Sequence, residues 1–176
     1  MLPILLFTGL SGAGKTTLSA ALATLLKTEG FAVALIDGDY YRNTLNKDLG
    51  FSEADRRENI RRLVQVAIQK QQEGYISLMA AINPYEDQRR ELSRDTGALI
   101  IYVHCPLPVL MARDTKGLYR RANLPDEHPD KLHNLSGVND RYDIPEHFNV
   151  AINTAEETVE SAAARLLKFV LGHINT

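Results

Sequence analysis

The chain contains a single cysteine and no tryptophan in 176 residues, and it has no apolar run long enough to cross a membrane. Cys105 alone can form neither an internal disulfide nor a thiolate metal site, and we expect it to be a small core residue. Residues 1–7 are apolar but too short to cross a bilayer and lack a preceding basic flank, so we expect neither a signal peptide nor a membrane span. These absences favour a cytoplasmic protein with no membrane partner.

Neither sign of charge is in excess. The chain has 20 Lys and Arg residues against 22 Asp and Glu residues, and its formal net charge is −2. Because no basic stripe is present, we expect no nucleic-acid partner. A hydrophobic content of 44% in a chain of this length is typical of one domain with a substantial core. We therefore predict a single domain over residues 1–176.

The most specific motif is a complete phosphate-binding loop, Gly9-Leu10-Ser11-Gly12-Ala13-Gly14-Lys15-Thr16. The glycines allow backbone N–H groups to surround phosphate oxygens, the lysine lies between the β- and γ-phosphates, and the threonine hydroxyl binds Mg²⁺. An apolar strand, residues 4–7, precedes the loop, and a helical pattern follows it from 17 to 27. An incidental glycine-rich turn would lack this context, so we predict binding of a nucleoside triphosphate.

Apolar runs alternate with helical patterns along the rest of the chain. We predict strands at 4–7, 31–36, 75–81, 98–104 and 150–153, with helices at 17–27, 55–73, 85–95, 106–113 and 158–171. This alternation indicates a three-layer α/β fold with a five-stranded parallel sheet. Functional residues are expected beyond the carboxyl ends of the strands.

One long segment lacks a regular pattern. Residues 116–145 are polar and rich in turn residues, and loops of this length in compact domains are usually lids or binding loops. A cluster of cations lies beside the helix that precedes this segment and would place positive charge over a transferring phosphoryl group. Its members are Arg113, Lys116, Arg120 and Arg121. We predict a basic lid over approximately residues 114–145. A disordered surface excursion is the alternative.

Several further segments resemble the adenylylsulfate kinases, which use ATP to phosphorylate the 3′-hydroxyl of adenosine 5′-phosphosulfate (APS). Besides the phosphate loop, the resemblance depends on residues 37–39, 42, 45–52, 55–56, 58–62, 84–85, 113–114 and 116–119. It extends from about residue 4 to 154. The resemblance implies a P-loop kinase with a three-layer fold of the P-loop NTPase type. It also implies a homodimer, with ATP and Mg²⁺ as cofactors and a small nucleotide as acceptor.

On the ATP side, the resemblance implies contacts from the loop through Thr17 and from Arg113, Lys116 and Arg120. Lys15, Asp37 and Asp39 are the expected catalytic residues. One of the two acids would hold Mg²⁺ through water or accept the proton of the attacking hydroxyl. We favour Asp37, with Thr16 as the other metal residue, and a helix-capping aspartate is the alternative.

On the acceptor side, Arg42, Arg56 and Asn59 match positions that hold the phosphosulfate group, for which planar guanidinium groups are suited. Phe51 matches an aromatic residue that packs on the adenine. Two alternatives stay open: Arg56 could belong to a solvated helix face, and Phe51 could be an ordinary core residue.

The acceptor region departs from the family pattern. Asn83 replaces a serine often described as a phosphoserine intermediate, and Leu135 replaces an aromatic residue; both are still expected to bind substrate. Tyr40 and His133 also differ, and the lid is longer than usual. A kinase of the same fold with another nucleotide-linked alcohol as acceptor is therefore an alternative.

A regulatory nucleotide switch is a second alternative. Asp114-Thr115-Lys116-Gly117 matches a D-x-x-G motif, and Asn46-Lys47-Asp48 resembles N-K-x-D. Their spacing and order are wrong for a switch, which argues against this interpretation.

Overall fold

The computed structural model describes residues 1–175 and contains one five-stranded sheet. Its strands are β1 (Ile4–Thr8), β2 (Val33–Asp37), β3 (Ile76–Ala80), β4 (Leu99–His104) and β5 (Val150–Asn153). All neighbouring strands are parallel, in the order β2-β3-β1-β4-β5. The predicted parallel sheet is confirmed.

Seven helices surround the sheet in the described part of the chain. They are α1 (Lys15–Thr28), α2 (Gly38–Arg42), α3 (Glu53–Gln72), α4 (Glu86–Thr96), α5 (Leu107–Arg113), α6 (Leu118–Ala122) and α7 (Val159–Ile174). The five predicted helices are present. Two short helices, α2 and α6, were not predicted.

The two faces of the central strand β1 contribute to separate apolar clusters. Leu5 and Phe7 pack in a cluster that includes α1 and α7, whereas Ile4 and Leu6 belong to a cluster that includes α3 and α4. A strand covered on both faces has no polar side and reads as a continuous apolar run. This arrangement produces the three layers and explains why β1 was recognisable in the sequence.

The phosphate loop passes close to the backbone of β4. A Cβ atom at Gly9 would lie 2.1 Å from the carbonyl oxygen of Val103 in β4, so no larger residue fits there. Gly14 has a φ of 99° immediately before α1, a conformation that other residues rarely adopt. These glycines allow the loop to approach β4 closely and to turn into α1.

Helix α6 corrects the expectation that residues 116–145 lack regular structure. The Asp114 carboxylate accepts hydrogen bonds from the backbone nitrogens of Tyr119 and Arg120, at 3.0 and 2.9 Å. The Tyr119 hydroxyl donates to the carbonyl oxygen of Ser11 at 2.7 Å, and its ring is buried. Capping and this anchor explain a helix that hydrophobic periodicity does not reveal.

The remainder of the lid segment packs against the domain. Leu135 and Ser136 are buried, and the backbone nitrogen of Asp143 donates to the carbonyl oxygen of Pro84 at 2.8 Å. These contacts argue against a disordered excursion. Over residues 1–175, the structure contains no helix of sufficient length and apolar character to traverse a bilayer.

Candidate active site

Lys15 lies at the centre of the phosphate loop. Its ammonium nitrogen donates to the carbonyl oxygens of Gly9 and Leu10, at 2.9 and 2.8 Å. Burial disfavours the charged form and lowers the pKa of Lys15 to about 8, against an opposing effect of Asp39. An anionic ligand at the loop would compensate this desolvation and favour the charged ammonium group.

Asp37 has two different contacts at the end of β2. Its Oδ1 atom accepts from the backbone nitrogens of Asp39 and Tyr40, at 2.9 and 3.0 Å, and caps α2. Its Oδ2 atom accepts a hydrogen bond from the Thr16 hydroxyl at 2.6 Å. The capping alternative is therefore observed, but only one carboxylate oxygen serves it. A hydroxyl beside a carboxylate is an oxygen donor set that suits Mg²⁺.

A cavity of about 240 Å³, the loop cavity, lies against the phosphate loop. Asp37, Asp39 and Ala80–Ile82 border it on the sheet side, and Thr115 and Lys116 border it on the lid side. Six predicted nucleotide-binding residues of the loop and α1 also line it: Ser11, Gly12, Gly14, Lys15, Thr16 and Thr17. The other three loop residues do not line this cavity. Gly9 and Leu10 accept hydrogen bonds from Lys15 through their carbonyl oxygens, and Ala13 is buried.

A second cavity of about 420 Å³, the arginine cavity, adjoins the first. All six predicted acceptor residues line it: Arg42, Phe51, Arg56, Asn59, Asn83 and Leu135. The two cavities share Ser11, Asp39, Ala81, Ile82 and Lys116. A molecule in the arginine cavity would therefore reach the phosphate loop past Asp39 and Lys116.

Arg56 is buried on α3, which excludes the alternative of a solvated helix face. Its Nε atom donates to the carbonyl oxygen of Phe51 at 3.0 Å. The terminal nitrogens donate to Ser136 Oγ, the Asn134 carbonyl oxygen and Asp140 Oδ2, at 3.2, 2.6 and 2.9 Å. Arg56 thus connects α3 to the lid segment, and it also lines the arginine cavity.

Phe51 is exposed, with 52% of its surface accessible, so it is not a core residue. The guanidinium carbon of Arg42 lies 4.6 Å from the ring centroid, and that of Arg56 lies 5.5 Å from it. Arg42 also donates to the carbonyl oxygen of Gly50 at 2.8 Å. These contacts hold an aromatic face and two cations at one side of the cavity.

Asn83 lies at the cavity wall in a strained backbone conformation, with a φ of 39°. Its carbonyl oxygen accepts a hydrogen bond of 2.6 Å from the fully buried Arg89. Both polar atoms of its buried carboxamide lack a partner within residues 1–175. Buried polar groups without partners are rare in proteins, so this carboxamide is suited to contact a bound molecule.

The lid cations have different positions. Lys116 forms an ion pair with Asp39 where the cavities meet. Arg113 borders a small cleft with Ser11 and Gly12, and it donates to the Thr154 carbonyl oxygen at 3.2 Å. Arg120 is exposed and lines neither cavity in the described structure, so it does not lie at the predicted ATP site.

Residues 2–153 match the family model for adenylylsulphate kinase. The chain belongs to the adenylylsulphate kinase family. It is 41% identical to an adenylyl-sulfate kinase of Synechococcus sp. strain JA-3-3Ab, over 95% of this chain and 93% of that protein. A second relative, from Synechococcus sp. strain JA-2-3B'a(2-13), is 45% identical over 87% of this chain and 85% of its own length.

The fold agrees with that of a solved family member. The APS kinase CysC of Mycobacterium tuberculosis, in complex with AMPPNP and APS, superposes with a TM-score of 0.86. The two chains are 31% identical, and the match covers 97% of this chain and 98% of that one. Family membership and the P-loop kinase fold, both expected from the sequence, are confirmed.

Sequence reasoning missed several residues that organise this family site. Asp140 pairs with Arg56, Arg89 holds the Asn83 loop, and Asn46 donates to Asn59. Asn46 belonged to a segment that supported the resemblance, but no motif signalled its contact. Asp140 lies 84 positions from Arg56, beyond the reach of any local pattern.

Proposed function

We propose that this protein transfers the γ-phosphoryl group of ATP to the 3′-hydroxyl of APS. The observation that carries the proposal is the junction of two cavities. The phosphate loop borders one cavity, the predicted acceptor residues border the other, and Asp39 and Lys116 belong to both. Direct phosphoryl transfer requires the two substrates to meet in line, and such a junction permits this.

In this proposal, ATP occupies the loop cavity with its phosphates against the loop N–H groups. Lys15 exchanges its contacts with the Gly9 and Leu10 carbonyls for the β- and γ-phosphates. Thr16 and Asp37 are the residues that would hold Mg²⁺, whose role when bound is to neutralise phosphate charge. Arg113 and Lys116 add positive charge from the lid side.

We propose different roles for the two acids, and their positions support this division. Asp37 borders the loop cavity and contacts Thr16, whereas Asp39 borders both cavities. We assign the metal contact to Asp37 and the general base to Asp39. In the ligand-free protein, Asp39 is paired with Lys116, so acceptor binding must make this carboxylate available to the 3′-hydroxyl.

The acceptor would lie in the arginine cavity. Arg42, Arg56 and Asn59 surround its phosphosulfate anion, Phe51 covers one face of the adenine, and Leu135 lines the cavity with a smaller apolar surface. Asn83 offers a carboxamide instead of a hydroxyl and cannot form a phosphoserine. The phosphoryl group therefore passes directly from ATP to the acceptor.

A screen for ADP release tests the proposal. The purified protein is supplied with ATP, Mg²⁺ and either APS, AMP, ADP or adenosine, with Lys15→Ala as the inactive control. APS should stimulate ADP release most strongly. Stimulation by another nucleotide and not by APS would support the alternative acceptor. The observations that favour this alternative are the departures from the family pattern at Asn83 and Leu135. Slow release that no acceptor changes would support a regulatory switch.

Three properties accompany the proposal. Mg²⁺ dependence is tested by EDTA and restoration of the metal. A homodimer, implied by the family resemblance, is tested by sedimentation equilibrium. A cytoplasmic location is tested by cell fractionation.

A further inference from the structure

Asn46 is a completely buried polar residue in the segment between α2 and α3. Its backbone nitrogen donates to the Tyr41 carbonyl oxygen at 2.8 Å, and its own carbonyl oxygen accepts from the Leu49 nitrogen at 3.0 Å. Its side-chain nitrogen donates to Oδ1 of Asn59 at 2.9 Å. The backbone and the side-chain donor of Asn46 are therefore both held in place.

The side-chain oxygen of Asn46 has no hydrogen-bond partner within residues 1–175, although it is buried. Leaving a buried amide oxygen unpaired costs free energy, because the group loses its contacts with water. An apolar residue of the same shape would avoid this cost. Stability alone therefore does not account for an asparagine at this position.

The contact has a direct consequence for Asn59, which lines the arginine cavity with Arg42 and Arg56. A carboxamide has one donor end and one acceptor end. Since Asn46 donates to the oxygen of Asn59, the amide nitrogen of Asn59 is left to donate to a ligand. The opposite orientation would present a carbonyl oxygen, which repels an anion.

We propose that Asn46 is a positioning residue that orients the Asn59 carboxamide so that its N–H donors face the anionic group of the acceptor. This inference rests on the proposed function, because it assumes an anionic acceptor in the arginine cavity. Asn46 itself does not line that cavity in the described structure. Its effect is therefore expected on acceptor binding through Asn59 and not on the chemical step.

The test is a double-mutant cycle with Asn46→Leu and Asn59→Ala. Leucine retains the branched shape of asparagine and removes both the donor and the unpaired oxygen. We expect Asn46→Leu to raise the KM for APS roughly three- to tenfold, which is the loss of one ordinary hydrogen bond. The kcat and the KM for ATP should stay within about twofold of the wild-type values, because Asn46 lines neither cavity in the described structure. In the Asn59→Ala background, Asn46→Leu should change the KM for APS little.

Ser77→Ala is the matched control. Ser77 is also completely buried, and its hydroxyl donates to the Ala67 carbonyl oxygen at 2.9 Å, away from both cavities. It should lower the midpoint of thermal unfolding without changing the KM for APS. Asn46→Leu should raise the KM for APS. It removes the unpaired oxygen of Asn46 but leaves Oδ1 of Asn59 without its donor, so its midpoint of thermal unfolding does not distinguish the two variants and the KM for APS does.

Two results would overturn the role of Asn46. One is that Asn59→Ala raises the KM for APS while Asn46→Leu leaves it at the wild-type value. The other is that the increase in the KM for APS of the double variant equals the product of the increases in the two single variants. If the wild-type protein uses another nucleotide instead of APS, the proposed acceptor is wrong, and the same cycle with that nucleotide decides the role of Asn46. If no nucleotide acceptor stimulates turnover, both proposals fail.

Discussion

Replacing Arg56 with alanine should weaken both acceptor binding and the attachment of the lid segment to α3. The change removes four hydrogen bonds, which end on the Phe51 and Asn134 carbonyl oxygens, Ser136 Oγ and Asp140 Oδ2. Breaking a buried ion pair by removing one partner destabilises a protein by about 3–5 kcal/mol. The side chain of Asp140 is 30% exposed, so water can solvate the unpaired carboxylate and offset part of this destabilisation. We expect a decrease in the free energy of unfolding of about 2–4 kcal/mol.

Acceptor binding should decrease as well. A hydrogen bond to a charged group contributes about 1.5–3 kcal/mol, which corresponds to an increase of about 10- to 150-fold in the KM for APS. Initial rates of ADP release at varied APS concentration measure this value, and chemical denaturation measures stability. The initial rates are recorded in the absence of denaturant and well below the temperature of thermal unfolding, so that the variant is folded during the assay.

Asp140→Ala is the matched control, because it removes the same ion pair and leaves the cation. It should also destabilise the fold. Its KM for APS should be unchanged or lower, since Arg56 no longer has a competing carboxylate. Equal increases in KM for Arg56→Ala and Asp140→Ala would refute the assignment of Arg56 to the acceptor and leave it a purely structural role.

Four further predictions concern the loop, the acids and the cavity wall. Burial lowers the pKa of Lys15 to about 8, and the phosphates of bound ATP should raise that pKa again. ATP binding should therefore be accompanied by proton uptake, and ATP affinity should decrease as the pH rises above about 8. Calorimetry in buffers of different ionisation enthalpy measures the uptake, which Lys15→Ala should abolish. Asp39→Asn should lower kcat by about 10²- to 10⁴-fold, whereas Asp37→Asn should mainly raise the Mg²⁺ concentration required for activity. Initial rates at varied Mg²⁺ measure both effects. The same behaviour in the two variants would contradict the division of roles. The wild-type protein should acquire no stable label from γ-labelled ATP alone, and stoichiometric labelling would contradict direct transfer past Asn83. Phe51→Ala should raise the KM for APS by about two- to tenfold in steady-state assays, and an unchanged value would contradict stacking on the adenine.

The core of the fold could be predicted because its signals are local. Each strand of a sheet covered on both faces is a continuous apolar run, and the phosphate loop occupies consecutive positions between β1 and α1. Helix α6 could not be predicted in this way. It depends on capping by Asp114 and on a hydrogen bond from Tyr119 to Ser11, which lie 108 positions apart.

The candidate site shows the same division. Arg42, Phe51, Arg56 and Asn59 were predicted from one short segment, and the structure gathers them around one cavity. The sequence could not indicate that Asp140 would pair with Arg56, because this contact depends on how the lid segment returns across α3. Tertiary packing also placed Arg120 outside both cavities, although its charge matched the expected lid.

The position of the transferred phosphate is the most direct test of the proposed reaction. The protein is incubated with γ-labelled ATP, Mg²⁺ and APS, and the labelled product is treated with a nucleotidase specific for 3′-phosphates. The account predicts label on an adenosine 5′-phosphosulfate derivative, formed in equal amount to ADP and released completely by the nucleotidase. Label that remains at another position, or ADP formation with no labelled nucleotide product, would contradict it.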